Sequence, residues 1–209
     1  MPDPRQPRVN QRARTRAAIS EAALRLYREG ATPTVAQAAE EARVSRATAY
    51  RYFPTQEALL VEVAEINPGG VRVEEALAHL DSEDVVRRLL VLVDTFGRMV
   101  LAEEEHFRRA LRVYQDTWLR SRAEAPGSPE VREGRRMRWI ETVLEPLTDL
   151  PEDQRRRLQA ALALTLGIDA LVVMKDVCRL DDDEALATLE WAATALLRAG
   201  LDEGRAPES

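Results

Sequence analysis

The stretch that decides the fold is residues 34–60, TVAQAAEEARVSRATAYRYFPTQEALL. Thr34 and Gln37 form a T-x-x-Q capping box, in which each side chain can bond the other residue's backbone amide, so a helix begins here. It can only be short, because Val44-Ser45 marks a new start. Ser45 suits the N-cap of a second helix over Arg46–Phe53. Pro54 stops that helix, since its ring cannot continue the hydrogen-bond ladder. Thr55 caps a further helix to about Ile66, where Asn67-Pro68-Gly69-Gly70 breaks it. Two short helices joined by a tight turn, the second opening on a serine, have the geometry of a helix-turn-helix. The second helix of that motif lies in the major groove of duplex DNA.

The side chains suit this use. Arg46 can donate a bidentate pair to guanine, and Thr48 can touch a base edge or a thymine methyl. Tyr50, Arg51 and Tyr52 can bond phosphates, which set register without reading sequence. Backbone amides at the start of the Thr34 helix can hold another phosphate. Ala38, Ala39, Ala42 and Val44 are small enough for two helices to cross closely, and Ala49 and Phe53 should face inward. An ordinary three-helix corner with Tyr50, Tyr52 and Phe53 in its core would leave the Arg46-Thr48-Arg51 face unexplained.

Upstream, a helix from Arg12 or Thr15 to Glu29 carries Ile19, Ala23, Leu26 and Tyr27 on one face, and Gly30 suits its C-terminal cap. Residues 1–11, with three prolines and scattered arginines, read as a disordered basic arm. Residues 1–56 hold ten arginines against five acids, whereas the remainder holds 20 basic and 31 acidic residues. A basic head on an acidic body suggests that only the head meets a polyanion.

The body, residues 67–209, repeats the helical grammar with longer segments. Ser82 starts one; another covers roughly Glu103 to Arg120; Ser128-Pro129-Glu130 opens one to about Leu147. Pro151 opens a long helix to about Arg179, and Asp181 with Glu184 caps the last, which ends near Gly200. The expected fold is all-α, with about nine helices. A helix-turn-helix head over residues 12–66 precedes a helical bundle over residues 67–209. The most apolar stretch, Leu158 to Met174, is interrupted by Gln159, Thr165 and Asp169 and is short for a membrane span. The polar, basic start has no apolar core of a signal peptide. One cysteine, Cys178, fits a reducing compartment, so a cytoplasmic location is expected.

At residues 15–63 the chain resembles the tetracycline-repressor (TetR) family of bacterial regulators. TRAAISEAALRLYREG resembles the family's first helix, and the serine, tyrosine and phenylalanine spacing in SRATAYRYF is the specific part of the match. Three positions depart from the usual pattern. Arg43 stands where the turn normally has glycine, and a positive φ there would strain it. Gln56 stands where a phosphate-binding lysine usually opens the fourth helix. Ala38 replaces a larger aliphatic. Arg43 itself and Arg5, Arg8 and Arg12 of the arm are candidates to supply the missing charge. The resemblance implies a homodimer on an inverted-repeat operator, and a repressor released when a small molecule binds the body.

Small residues Ala160, Ala163, Gly167 and Ala170 recur at helical spacing, and with Leu189, Ala193 and Leu196 of the last helix they are the candidate dimer face. Candidate ligand-pocket residues are Met99, Phe107, Tyr114, Trp118, Met137, Trp139, Asp169 and Met174. Asp169, a lone acid in an apolar run, would favour a cationic ligand if it lines a pocket. No cofactor or metal is expected. His79 and His106 lie far apart, and G-x-S-x-G, Walker, G-x-G-x-x-G and H-E-x-x-H patterns are missing, which speaks against an enzyme. The other reading is a helical adaptor that binds a protein partner through its acidic body.

Overall fold

A computed structural model describes residues 6–66, 70–124 and 134–203, and those residues form helices, turns and no strands. In chain order the helices are α1 (Gln6–Arg28), α2 (Val35–Glu41), α3 (Arg46–Tyr52), α4 (Gln56–Glu65), α5 (Gly70–Ala78), α6 (Val85–Ala102), α7 (Glu104–Glu124), α8 (Arg135–Leu144), α9 (Glu152–Ala163), α10 (Ile168–Val172) and α11 (Asp182–Glu203). A π-helical turn, Val173–Val177, follows α10. No helix among the described residues is long and apolar enough to cross a membrane.

Two compact units result. The first combines Met1–Asn67 with Glu105–Glu133, so nearly all of α7 belongs to the same unit as the head helices α1 to α4. Its core holds Ile19, Ala23, Tyr27, Val35, Ala38, Ala39, Ala49, Phe53, Leu59 and Val63. Ala38, Ala39 and Ala49 are completely buried, which lets α2 and α3 cross with only methyl groups between them. Burying Phe53 alone contributes on the order of 1.5–3 kcal/mol.

Helix α1 starts at Gln6, ahead of the expected start, so residues 6–11 are helical rather than a structureless arm. Pro7 does not prevent this, because amides in a first turn have no intrahelical partner to lose. The remainder of the expected arm, including Arg5, lies outside the described residues. At its far end α1 closes on Gly30, at φ 93°, with Gly30 N donating to the Tyr27 carbonyl and Ala31 N to that of Leu26. These two bonds are the paired closure of a Schellman motif.

The second unit combines Pro68–Glu104 with Gly134–Ser209. Helix α6 turns Leu89, Leu92, Val93, Phe96, Met99 and Val100 inward. Opposite them are Trp139, Ile140, Val143 and Leu144 of α8 and Ala185, Leu186, Leu189, Ala193 and Leu197 of α11. Two glycines set helix spacing. A Cβ on Gly97 would lie 2.3 Å from Leu186 Cδ2, and one on Gly200 would lie 3.0 Å from Leu158 Cδ1.

Three expectations for this part of the chain change. Helix α6 is capped by Asp84 rather than Ser82; the Asp84 carboxylate accepts from Val86 N at 3.0 Å and Arg87 N at 3.4 Å. Helix α5 was not anticipated, although Val73 and Leu77 are its buried face. The single long helix from Pro151 to Arg179 is instead three pieces: α9, α10 and the π turn. The break falls at Gly167, whose φ of 86° and ψ of −172° no helix contains. Arg136 fills the break, donating to the Ala163 carbonyl at 3.1 Å and to Asp169 at 2.9 Å. The expected N-cap at Ser128-Pro129-Glu130 lies outside the described residues.

Candidate nucleic-acid interface

The reading helix is built by its caps. Thr34 and Gln37 make the reciprocal box: Gln37 N donates to Thr34 Oγ1 at 3.2 Å, and Thr34 N donates to Gln37 Oε1 at 2.9 Å. That leaves the amides of Val35 and Ala36 as the open donors at the start of α2. Helix α2 ends in a second Schellman closure, Arg43 N to Glu40 O and Val44 N to Ala39 O. This places Arg43 at φ 55°, so the arginine that replaces the usual turn glycine does occupy the left-handed region. Ser45 then starts α3, its Oγ accepting from Thr48 N at 3.1 Å and lying 2.8 Å from Thr48 Oγ1. Thr55 caps α4 by accepting from Ala58 N at 3.2 Å.

Because α3 is anchored by Ala49 and Phe53, its opposite side is open. Arg46, Tyr50 and Arg51 are exposed, with Tyr50 47% accessible despite its aromatic ring. Arg43 and Ser45 are exposed beside them, and Thr34, Thr48, Tyr52 and Gln56 are half-buried. Tyr52 packs against the head core and carries the Arg51 guanidinium 5.5 Å from its ring centroid. Tyr50 is therefore the more exposed of the two tyrosines, whereas Tyr52 is half-buried and supports Arg51.

Ion pairs hold the helices behind this face. Arg16 of α1 donates to Glu62 of α4 at 2.6 Å and stacks over Phe53 at 5.4 Å. Ser20 Oγ donates to the same carboxylate at 3.1 Å. The guanidinium bond keeps the Glu62 carboxyl below its usual range, against the opposing effect of burial. Arg25 ties α1 to Glu41 of α2 at 3.2 Å. At the start of α4, Glu57 is also held low, by its own backbone amide and by Thr55. The first turn of α4 thus offers Gln56 and an ionised Glu57 paired with Arg120 of α7 at 3.5 Å, with no cation of its own.

The remaining candidates fare differently. Of the proposed dimer face, Gly167, Ala170, Leu189 and Ala193 are buried inside this chain, Ala163 and Leu196 are half-buried, and only Ala160 is exposed. The reason is the break at Gly167, which removes the single helical face that would align the four small residues. Instead Leu164 and Trp191 stand out, 77% and 73% accessible, with exposed Ala187 and Ala195 one turn either side of Trp191 on α11. The spacing of four among Ala187, Trp191 and Ala195 is the signal of this face in the sequence.

The proposed pocket residues divide between the units. Met99 and Trp139 are core residues of the second unit, Trp139 meeting Phe96 edge-on at 5.0 Å. Asp169 is paired with Arg136, so its charge is already compensated and gives no preference for a cationic ligand. Met174 is half-buried and Met137 exposed. Phe107 and Tyr114 are half-buried and Trp118 is exposed, all on α7 in the first unit.

Comparison with known proteins agrees with this geometry. Residues 19–63 match the family model of bacterial regulatory proteins, tetR family. A TetR transcriptional regulator from Rhodococcus sp. RHA1 superposes with a TM-score of 0.57 at 20% identity, covering 88% of this chain and 97% of that one. A candidate TetR-family transcriptional regulator from Mesorhizobium loti MAFF303099 gives 0.55 at 20% identity, covering 91% and 96%. At that identity both likenesses establish the fold. No curated protein matches the chain. The helix-turn-helix segment, residues 19–63, is thus similar to the tetR family of bacterial regulatory proteins, and the chain shares the fold of two regulators of that kind.

Proposed function

We propose that this protein is a dimeric transcriptional repressor that grips an inverted-repeat operator through α3 and releases it when its body, residues 67–209, binds a small molecule. The observation that carries the reading is α3 itself. It is a short helix, capped by Ser45, anchored from behind by Ala49 and Phe53, and open along Arg46, Tyr50 and Arg51. A cationic and aromatic face on such a helix fits the major groove, with Arg46 reading a base edge and Tyr50 and Arg51 gripping phosphates.

An inverted repeat calls for a two-fold protein whose reading helices are roughly 34–36 Å apart. Leu164 and Trp191, with Ala160, Ala187 and Ala195, supply an apolar surface that a second copy would cover. A ligand that prefers a body shape with the wrong spacing would shift the population away from the bound form. A typical coupling of about 1–3 kcal/mol changes affinity roughly 5–150-fold.

The test starts by selecting bound fragments from genomic DNA, then titrating the chosen duplex by fluorescence anisotropy. Binding with steep salt dependence is expected, together with an inverted repeat in the selected fragments. Arg46→Ala should cost about 1–3 kcal/mol and relax specificity at one position of each half-site. A chain that binds every duplex equally weakly, or none, would overturn the proposal. Compounds suggested by the neighbouring genes then test release.

A further inference from the structure

The head carries a second basic surface that α3 does not use. Helix α1 begins at Gln6, yet the first of its described side chains to be buried is Ile19. At 1.5 Å per residue the helix runs about 20 Å before entering the core. Residues 6–20 contain Arg8, Arg12, Arg14 and Arg16 and no acid. Arg16 is engaged with Glu62 and Phe53. Arg12 and Arg14 are exposed and make no ion pair among the described residues.

This arrangement is unfavourable for an isolated helix, since Arg12 and Arg16 are like charges four residues apart with no acid between them. A bound polyanion would remove that repulsion. The location fits one. Arg12 lies one turn ahead of Arg16, and the Arg16 guanidinium sits over Phe53, the residue that closes α3. Arg14 projects from another side of α1, so the two cations straddle the overhanging rod. The first turn of α4, which could have supplied a cation near this corner, offers Gln56 and Glu57 instead.

We propose that the overhanging first half of α1 is a second backbone-contacting element of the DNA interface, with Arg12 and Arg14 each neutralising a phosphate. This rests on the reading of α3 as the base-reading helix and extends the footprint beyond it. The contact carries no sequence information, because isolated arginines beside Ala13 and Ala17 meet phosphates and not a patterned base edge.

The experiment compares full-length protein with the Arg12→Gln/Arg14→Gln double variant. Affinity for the selected operator and for an unrelated duplex is followed from about 50 to 200 mM salt. The proposal expects the slope of log affinity against log salt to become shallower by about 3.6 for the dimer, since two arginines on each of two protomers neutralise four phosphates and each contributes about 0.9. The loss should be equal on both duplexes, and Arg12→Lys/Arg14→Lys should restore the slope. Both positions are exposed, so thermal melting should be unchanged. A double variant with the wild-type slope overturns the proposal while leaving the role of α3 intact, as Arg46→Ala would still lose specificity. A loss confined to the operator also overturns it. If wild-type protein binds no duplex, this proposal and the proposed function fall together.

Discussion

Arg43 shows how one residue can be set against its own backbone. The Schellman closure of α2 holds it at φ 55°, a region that costs a side-chain-bearing residue roughly 1–2 kcal/mol. Glycine would relieve this but lose more backbone freedom on folding, by roughly 0.5–1 kcal/mol. Arg43→Gly is therefore expected to stabilise the protein by a few tenths to about 1 kcal/mol, seen as a higher urea midpoint. A lower midpoint would show that the arginine's own contacts outweigh the strain. Tyr27 is the second informative residue. Its ring is buried beneath the Arg109 guanidinium, 5.5 Å away, and its hydroxyl has no hydrogen-bond partner among the described residues. Burial pushes its pKa up to about 12 from the usual 10. The folded state thus holds this proton more tightly than the unfolded state does. The stabilisation is fully present below pH 10 and is lost as pH rises from about 10 to about 12. Tyr27→Phe should unfold at the same or higher denaturant concentration at pH 8, because an unsatisfied buried hydroxyl is removed. It should also show a smaller loss of stability above pH 10 than wild type; identical alkaline profiles would contradict the assignment.

Elements end here for reasons that differ in how visible they are. Helices α2, α3 and α4 each begin on a side-chain cap, at Thr34, Ser45 and Thr55, and these were legible because a cap is a local bond between near neighbours. The cap at Asp181, bonded to Glu184 N at 2.9 Å, was legible for the same reason. The break between α9 and α10 was not. Gly167 reads as one more small residue in an apolar helix, and only Arg136, 31 positions earlier, makes the break worthwhile by bonding both the freed Ala163 carbonyl and Asp169. Gly167→Ala tests this. The substitution would strain a backbone conformation reserved for glycine and place a Cβ 2.7 Å from Arg136 Nη2. A loss on the order of 1–3 kcal/mol is expected in chemical denaturation, more if the guanidinium is displaced. A neutral outcome would mean that the break is a soft feature. Helix α5 also escaped notice, since Val73 and Leu77 alone are too few apolar positions for its periodicity to stand out.

At the scale of the whole molecule, the charge asymmetry and the exposed apolar surface point to different partners for different parts of the chain. The basic head suits a polyanion, whereas Leu164 and Trp191 suit another protein surface. If that surface pairs two copies, Trp191→Glu should weaken dimerisation by about 2 kcal/mol or more, as expected for a buried aromatic anchor. Sedimentation velocity over a concentration series would detect it, and an unchanged dimer would place the interface elsewhere. The all-helical class, the helix-turn-helix and the exposure of Arg43, Ser45, Arg46, Tyr50 and Arg51 were available from the linear chain, because caps, a stop at proline and helical periodicity act within about one or two turns, whereas Thr34, Thr48, Tyr52 and Gln56 are half-buried. Folding in three dimensions decided the rest. It made α1 an overhanging rod and joined α7 to the head's unit. It buried Gly167, Ala170, Leu189 and Ala193 within the chain and left Trp191 outside. Which of several apolar faces meets its own neighbours depends on contacts between residues far apart in the chain, and local periodicity holds no record of them.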